Sequence, residues 1–168
     1  MEIENNYNNQ WIRDSHFQNM KIEWANFSKC ILVNCDFSNV ILNYAIMYSI
    51  NATNCCFDKA DLLGSILNSS IFENCSFKRT FLAFTNLVSC QFINCNLEGA
   101  SFDFSNLWRV EFIRCRNLPK YVHEIKSIFQ IKIIDDDFSE MWHIYPKIEM
   151  KNGLYGVEIN NSKESIQN

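Results

Sequence analysis

Eight cysteines in 168 residues are the first feature of this chain that suggests chemistry. They are Cys30, Cys35, Cys55, Cys56, Cys75, Cys90, Cys95 and Cys115. Thiols at this density suggest either a disulfide framework or a thiolate metal site. The spacing opposes zinc, because no CxxC pair occurs and His16, His123 and His143 lie outside the cysteine column. Asp135, Asp136 and Asp137 form the other metal-like cluster, and they read as a solvated turn capping a short helix over FSEMWHIY. No GxSxG, P-loop or HExxH motif is present, and His143 beside Trp142 has no partner at catalytic spacing. These residues predict no catalytic, metal or cofactor site, hence a protein that is not an enzyme.

The elements that position the thiols emerge from the period of the apolar residues. Every fifth residue from Phe17 to Phe112 is apolar, and seventeen of these twenty are Phe or Leu. Two residues before each, sixteen of twenty are Ala, Cys, Ser or Thr; the exceptions are Met20, Val40, Ile50 and Val110. A period of five fits neither a helix at 3.6 nor an alternating strand at 2. It fits a chain that turns a corner every five residues, with one large and one small side chain inward per pentad. Four pentads close a square coil of twenty residues, and coils stacked at about 4.8 Å bury a core that no single coil has. Twenty pentads make about five coils.

A twenty-residue coil has to show a twenty-residue echo. Cys35, Cys55, Cys75, Cys95 and Cys115 supply it, preceded by Asn34, Asn54, Asn74, Asn94 and Arg114. Stacked Asn side chains bond along such an axis as a ladder. Parallel side chains in one column keep their Cβ atoms near the rung spacing, outside the range of ~3.5–4.5 Å that a disulfide needs. Seven cysteines therefore read as small buried hydrophobes. Cys56 alone falls on an outward position, as a candidate exposed thiol. Eight unbridged thiols suggest a reducing, cytoplasmic setting.

The stretches CDFSN (35–39), ADLLG (60–64), CSFKR (75–79), CNLEG (95–99) and SNLWR (105–109) resemble the pentapeptide-repeat family. The resemblance spans residues 15–114, with a weaker lead-in at Tyr7 and Ile12. It implies an all-β solenoid, a right-handed quadrilateral β-helix. Cys-rich pentads make the chain similar to the quinolone-resistance (Qnr-type) and microcin-immunity groups of that family. Those groups imply protection of DNA gyrase or topoisomerase IV from an inhibitor or toxin.

The divisions that follow are an N-terminal cap over residues 1–14 and a repeat β-helix over 15–116. A small α+β capping segment over 117–159 and a flexible tail over 160–168 complete them. In the capping segment Asn117 reads as a helix N-cap, with Val122, Ile125 and Phe129 on one helical face. IKII (131–134) reads as a short strand, and residues 147–159 read as a hairpin about Asn152-Gly153. One outward column is aromatic: Trp24, Tyr44, Phe84 and Phe104, interrupted by Gly64. With Phe81 and Trp108 nearby, it forms a candidate interaction stripe, to be covered either by the C-terminal segment or by a partner.

Charge narrows the partners. The net charge is −4, and residues 15–115 carry seven basic and eight acidic side chains, so direct nucleic-acid binding is not expected. The polar start MEIENNYNNQ shows no secretory pattern, and no apolar run reaches membrane-spanning length, so no membrane contact is expected. The leading expectation is a non-catalytic protein–protein interaction scaffold, monomeric or homodimeric, with a protein partner of unknown identity. A topoisomerase is the partner implied by the resemblance, and a host-directed bacterial effector or adaptor is the remaining class.

Overall fold

A computed structural model describes residues 5–119 and 130–134, together with the backbone of the strands Ile148–Lys151 and Leu154–Val157. The chain divides into two compact units, Met1–Asp137 and Phe138–Asn168. The first unit holds seven strands. They are β1 (Trp11–Arg13), β2 (Ile31–Val33), β3 (Asn51–Thr53), β4 (Ile71–Glu73), β5 (Gln91–Ile93), β6 (Glu111–Ile113) and β7 (Lys132–Ile134). They form one parallel sheet in sequence order, an all-β solenoid of about six turns. No helix occurs among the described residues. In the second unit β8 (Ile148–Lys151) pairs antiparallel with β9 (Leu154–Val157), from Ile148↔Val157 to Lys151↔Leu154. The helices expected after Asn117 and after Asp137, and the tail 160–168, lie outside the described residues.

The five-residue period has a backbone cause. Every fifth residue from Asn9 to Arg114 has a left-handed φ, between 50° and 67°. Each is a corner. Between corners a short extended segment points its first and third side chains inward and its second outward. The inward residues are buried from Ala25 to Cys115 in the small slot and from Ile12 to Phe112 in the large one. Four such segments close a coil. Side one is centred on Phe17 and its twenty-residue equivalents, side two on Ile22, side three on Phe27 and side four on Leu32.

Coils are joined by main-chain bonds. Phe17 N–H donates to the Asp36 carbonyl at 2.8 Å and Asn19 N–H to Ser38 at 3.0 Å, while Asp36 N–H returns to Ser15 at 2.9 Å. The pairing offset is twenty residues from Trp11↔Ile31 through Gln91↔Glu111. Inside, aromatic rings repeat with the rungs. Phe17, Phe37, Phe57 and Phe77 stack at 4.6–5.0 Å. Phe72, Phe92 and Phe112 stack at 5.1 and 5.3 Å. The two columns meet edge to face, as at Phe72 and Phe77.

Both ends extend the ladder beyond the five coils counted from the pentads. Residues 5–14, expected to cover the first coil, cover it as a rung of the same kind, with Asn6 bridged to Asn26 and Tyr7 stacked on Phe27 at 4.4 Å. At the other end the offset changes: Glu111 pairs with Lys132, twenty-one residues on. The extra residue enters at Asn117, which stands where the large inward residue is due. Asn117 takes φ 58° and is exposed, and Leu118 is buried in its place. A helix N-cap has β-region dihedrals, so the N-cap reading of Asn117 does not hold. The strand Lys132–Ile134, expected to belong to a cap, is the seventh strand of the ladder.

Two substitutions test this architecture by urea denaturation. Phe57→Ala opens a cavity in the Phe stack and is expected to cost about 3–5 kcal/mol. Gly64→Ala places a Cβ at φ +66° and 2.8 Å from the Tyr44 ring, for an expected cost of about 1–2 kcal/mol. An unchanged midpoint for Gly64→Ala contradicts the corner constraint.

Candidate functional site

The cysteines occupy the position that their phase requires. Cys30, Cys35, Cys55, Cys75, Cys90, Cys95 and Cys115 are buried, Cys56 is half-buried, and all eight are free. The slot offers a polar contact that spacing alone does not reveal. Its occupant faces the carbonyl of the large inward residue one coil earlier, twenty-three residues back. Ser65 Oγ donates to Leu42 O at 2.8 Å and Thr80 Oγ1 to Phe57 O at 2.7 Å. Cys90 Sγ donates to Leu67 O at 3.0 Å and Cys115 Sγ to Phe92 O at 3.1 Å. Ser, Thr and Cys add a second bond to a carbonyl that a backbone N–H already reaches, as Ala45 does at Leu42 and Ala60 at Phe57, while Ala, Val40, Ile50 and Val110 fill the slot without it.

Burial rather than titration keeps the slot thiols from reacting: Cys55 and Cys95 are lowered by the hydrogen-bonded thiols of Cys35, Cys75 and Cys115, yet both are buried in the column. Burial pushes Cys30 and Cys90 up, Cys90 to about 12. Cys35 and Cys75 are raised by hydrogen-bonded sulfur neighbours in the column and by burial. Cys56, on side one between Asp36 and Ser76, is also raised. Burial is the main cause, and the Asp58 and Asp36 carboxylates add to it. This direction is opposite to thiolate activation. Among the described residues no group of His, Cys, Asp and Glu is placed to hold a metal ion.

The aromatic column lies on the corner between sides two and three. Trp24, Tyr44, Phe84 and Phe104 have φ of 57–62°, a conformation strongly disfavoured for bulky residues. Trp24 stacks on Tyr44 at 4.7 Å and Phe84 on Phe104 at 5.1 Å. Gly64 separates the two pairs, and the Tyr44 ring lies over it. The column is open: Trp24 is 62% exposed, Tyr44 43%, Phe84 60% and Phe104 76%. Phe81 is an exposed neighbour on side two, and Trp108 is half-buried on side three. The sequence reading missed Ile46 and Ile66, which are exposed on side three immediately after the aromatic corner. Their signal was their outward position in the pentad. It also missed a second apolar column on side four, made by Trp11, Ile31 and Ile71, where Arg13 sits 4.9 Å over the Trp11 ring.

The diagonally opposite corner is polar. Asn34 Nδ2 donates to Asp14 at 3.0 Å and Asn54 Nδ2 to Asn34 at 3.4 Å. Asn94 Nδ2 donates to Asn74 at 3.1 Å, and Arg114 Nε to Asn94 at 2.9 Å. The expected Asn ladder is thus present as two runs, one ending on an acid and the other on a base.

A solenoid of stacked square coils, with a Phe or Leu and a small residue inward in each pentad, defines a pentapeptide solenoid. The chain belongs to the pentapeptide repeat family, whose model matches in eight copies over residues 22–58, 55–92 and 82–116. Among solved structures, a pentapeptide repeat protein from the thylakoid lumen of Arabidopsis thaliana is similar at 21% identity and TM-score 0.57. The match covers 64% of this chain and 73% of that one. QnrB1, a plasmid-mediated fluoroquinolone resistance protein, is 17% identical at TM-score 0.43, with 79% of this chain and 87% of that one covered. No curated protein sequence matches the chain. At these identities the likeness concerns the fold. No helix among the described residues is long and apolar enough to cross a membrane.

Thiol burial has a direct readout. In the native protein at pH 8, iodoacetamide is expected to modify Cys56 slowly and the seven slot cysteines not at all, with all eight reacting in denaturant. Burial raises the Cys56 thiol above the ordinary range, so its alkylation rate keeps rising with pH beyond the point at which an ordinary thiol levels off. Rapid alkylation at pH 7 contradicts this assignment.

Proposed function

We propose that the protein is a non-catalytic scaffold that binds another protein through the aromatic corner. One observation carries this reading: four bulky aromatic residues occupy left-handed corners and stay exposed. A left-handed L-residue costs about 1–2 kcal/mol, and Asn or Gly would bear that conformation more easily. Stacking within the two pairs contributes about 0.5–1.5 kcal/mol each, which offsets only part of that cost. The remainder brings no burial among the described residues, so its return lies in a contact with a partner. Rigid, stacked aromatic rings lose little side-chain entropy on binding and suit the centre of an interface. Ile46, Ile66 and Phe81 flank them and widen the apolar surface.

Other features favour the same class. The interior is filled by Phe, Leu and small side chains, which leaves no lumen for a substrate. Eight free thiols suit a reducing compartment, in keeping with a cytoplasmic location. The nearly neutral charge of residues 15–115 gives no electrostatic basis for imitation of DNA, so protection of a topoisomerase is the less favoured reading.

The double variant Phe84→Asn/Phe104→Asn tests the proposal. Its stability is expected to stay unchanged or to rise by up to about 1 kcal/mol, because Asn tolerates the left-handed corner. Cross-linked capture from source-cell extract, quantified against the native chain, is expected to lose its specific partner. Sedimentation at high concentration shows whether that partner is a second copy. Cooperative destabilisation of the variant, or undiminished capture, rejects the aromatic corner as the binding surface.

A further inference from the structure

A second surface feature lies at the polar corner, away from the aromatic one. Between sides four and one, near the last rungs, the surface is concave over about 560 Å³. Lys78, Arg114, Arg116, Asn74, Asn94 and Asn96 line it, with no carboxylate among the lining residues. None of the three cations pairs with an acid among the described residues. Asp58, one coil before Lys78, is already engaged by the Ser76 hydroxyl at 2.5 Å and the Lys78 N–H at 2.8 Å. Arg114 is also oriented. Asn74 accepts from Asn94, and Asn94 accepts from Arg114 Nε, which leaves the terminal nitrogens of Arg114 to face a ligand. Asn117 Nδ2 and Glu98 N–H both donate to Asn96 Oδ1, which leaves the Asn96 amide as a donor. Glu98 follows Lys78 by one coil and is the acid that tempers the groove.

We propose that this groove binds an oxyanion ligand carrying two linked phosphate groups. Arginine and amide donors match phosphate oxygens in geometry and charge. Lys78 and the Arg114–Arg116 pair stand about two rungs apart, on the order of 10 Å at the backbone. That spread suits an extended anion.

The test uses the full chain and inorganic anions. Amide shifts in the groove are followed by NMR during titration with sodium pyrophosphate, sodium phosphate or sodium chloride at matched ionic strength. Pyrophosphate is expected to bind about tenfold tighter than phosphate, with chloride inert. Arg114→Gln/Arg116→Gln is expected to weaken pyrophosphate by at least about tenfold, and Lys78→Gln alone to weaken it less. Phe84→Asn/Phe104→Asn is expected to leave it unchanged, which separates this site from the aromatic corner. Equal affinity for the two phosphates, shifts no larger than those from chloride, or full binding by either basic-site variant overturns the proposal.

Discussion

Each coil is bonded to the next through main-chain groups at a spacing of twenty residues, and the rest of the molecule depends on that register. Every inward side chain lies directly above its equivalent, so rings stack on rings and thiols on thiols. A single inserted residue would turn inward positions outward for the rest of the ladder, as a one-residue slip does in any sheet. The solenoid admits such an insertion at Asn117, after the last complete coil of pentads. There Leu118 restores burial, and the ladder resumes at Lys132 with an offset of twenty-one.

The register is maintained by corners, and the corners carry the conformational strain. Only Gly64 and Gly99 meet the left-handed requirement without a side chain. Asn meets it often, because its short amide tolerates the left-handed region. The amides that reduce backbone cost at the corner between sides four and one also bond to one another along the axis. At the diagonal corner, aromatic residues take the same dihedrals with no such relief. Two chemistries, one polar and one apolar, thus occupy equivalent positions of one repeating backbone. The scaffold separates them by its width, which allows both surfaces to be used at once.

Much of this was legible in the chain. The alternation of inward and outward side chains is set locally by five residues, so counting from Phe17 found the core, the Cys column and the aromatic column. The choice of Ser, Thr, Cys or Ala in the small slot was legible as a pattern, but the contact made by its polar members was not. The carbonyl that these hydroxyls and thiols face belongs to a residue twenty-three positions away. The same distance in sequence hid the polar groove, which gathers Lys78, Asn94 and Arg116 from three successive rungs. Ile46 and Ile66 were missed for a simpler reason: isolated isoleucines draw attention only when a stacked aromatic corner adjoins them.

The sequence by itself determined the solenoid, its period, the burial of seven cysteines and the place of the aromatic stripe. All of these follow from side-chain size repeated at fixed spacing, which any stacked coil must respect. Tertiary structure decided how the ladder continues past the last pentad, because the slip at Asn117 and the return of Lys132–Ile134 depend on edge hydrogen bonds that an open rung offers. It also decided the thiol chemistry of Cys56, which is governed by burial and by two carboxylates brought near it by stacking. The orientation of Arg114 was decided in the same way, since Asn94 and Asn74 reach it only across the rungs.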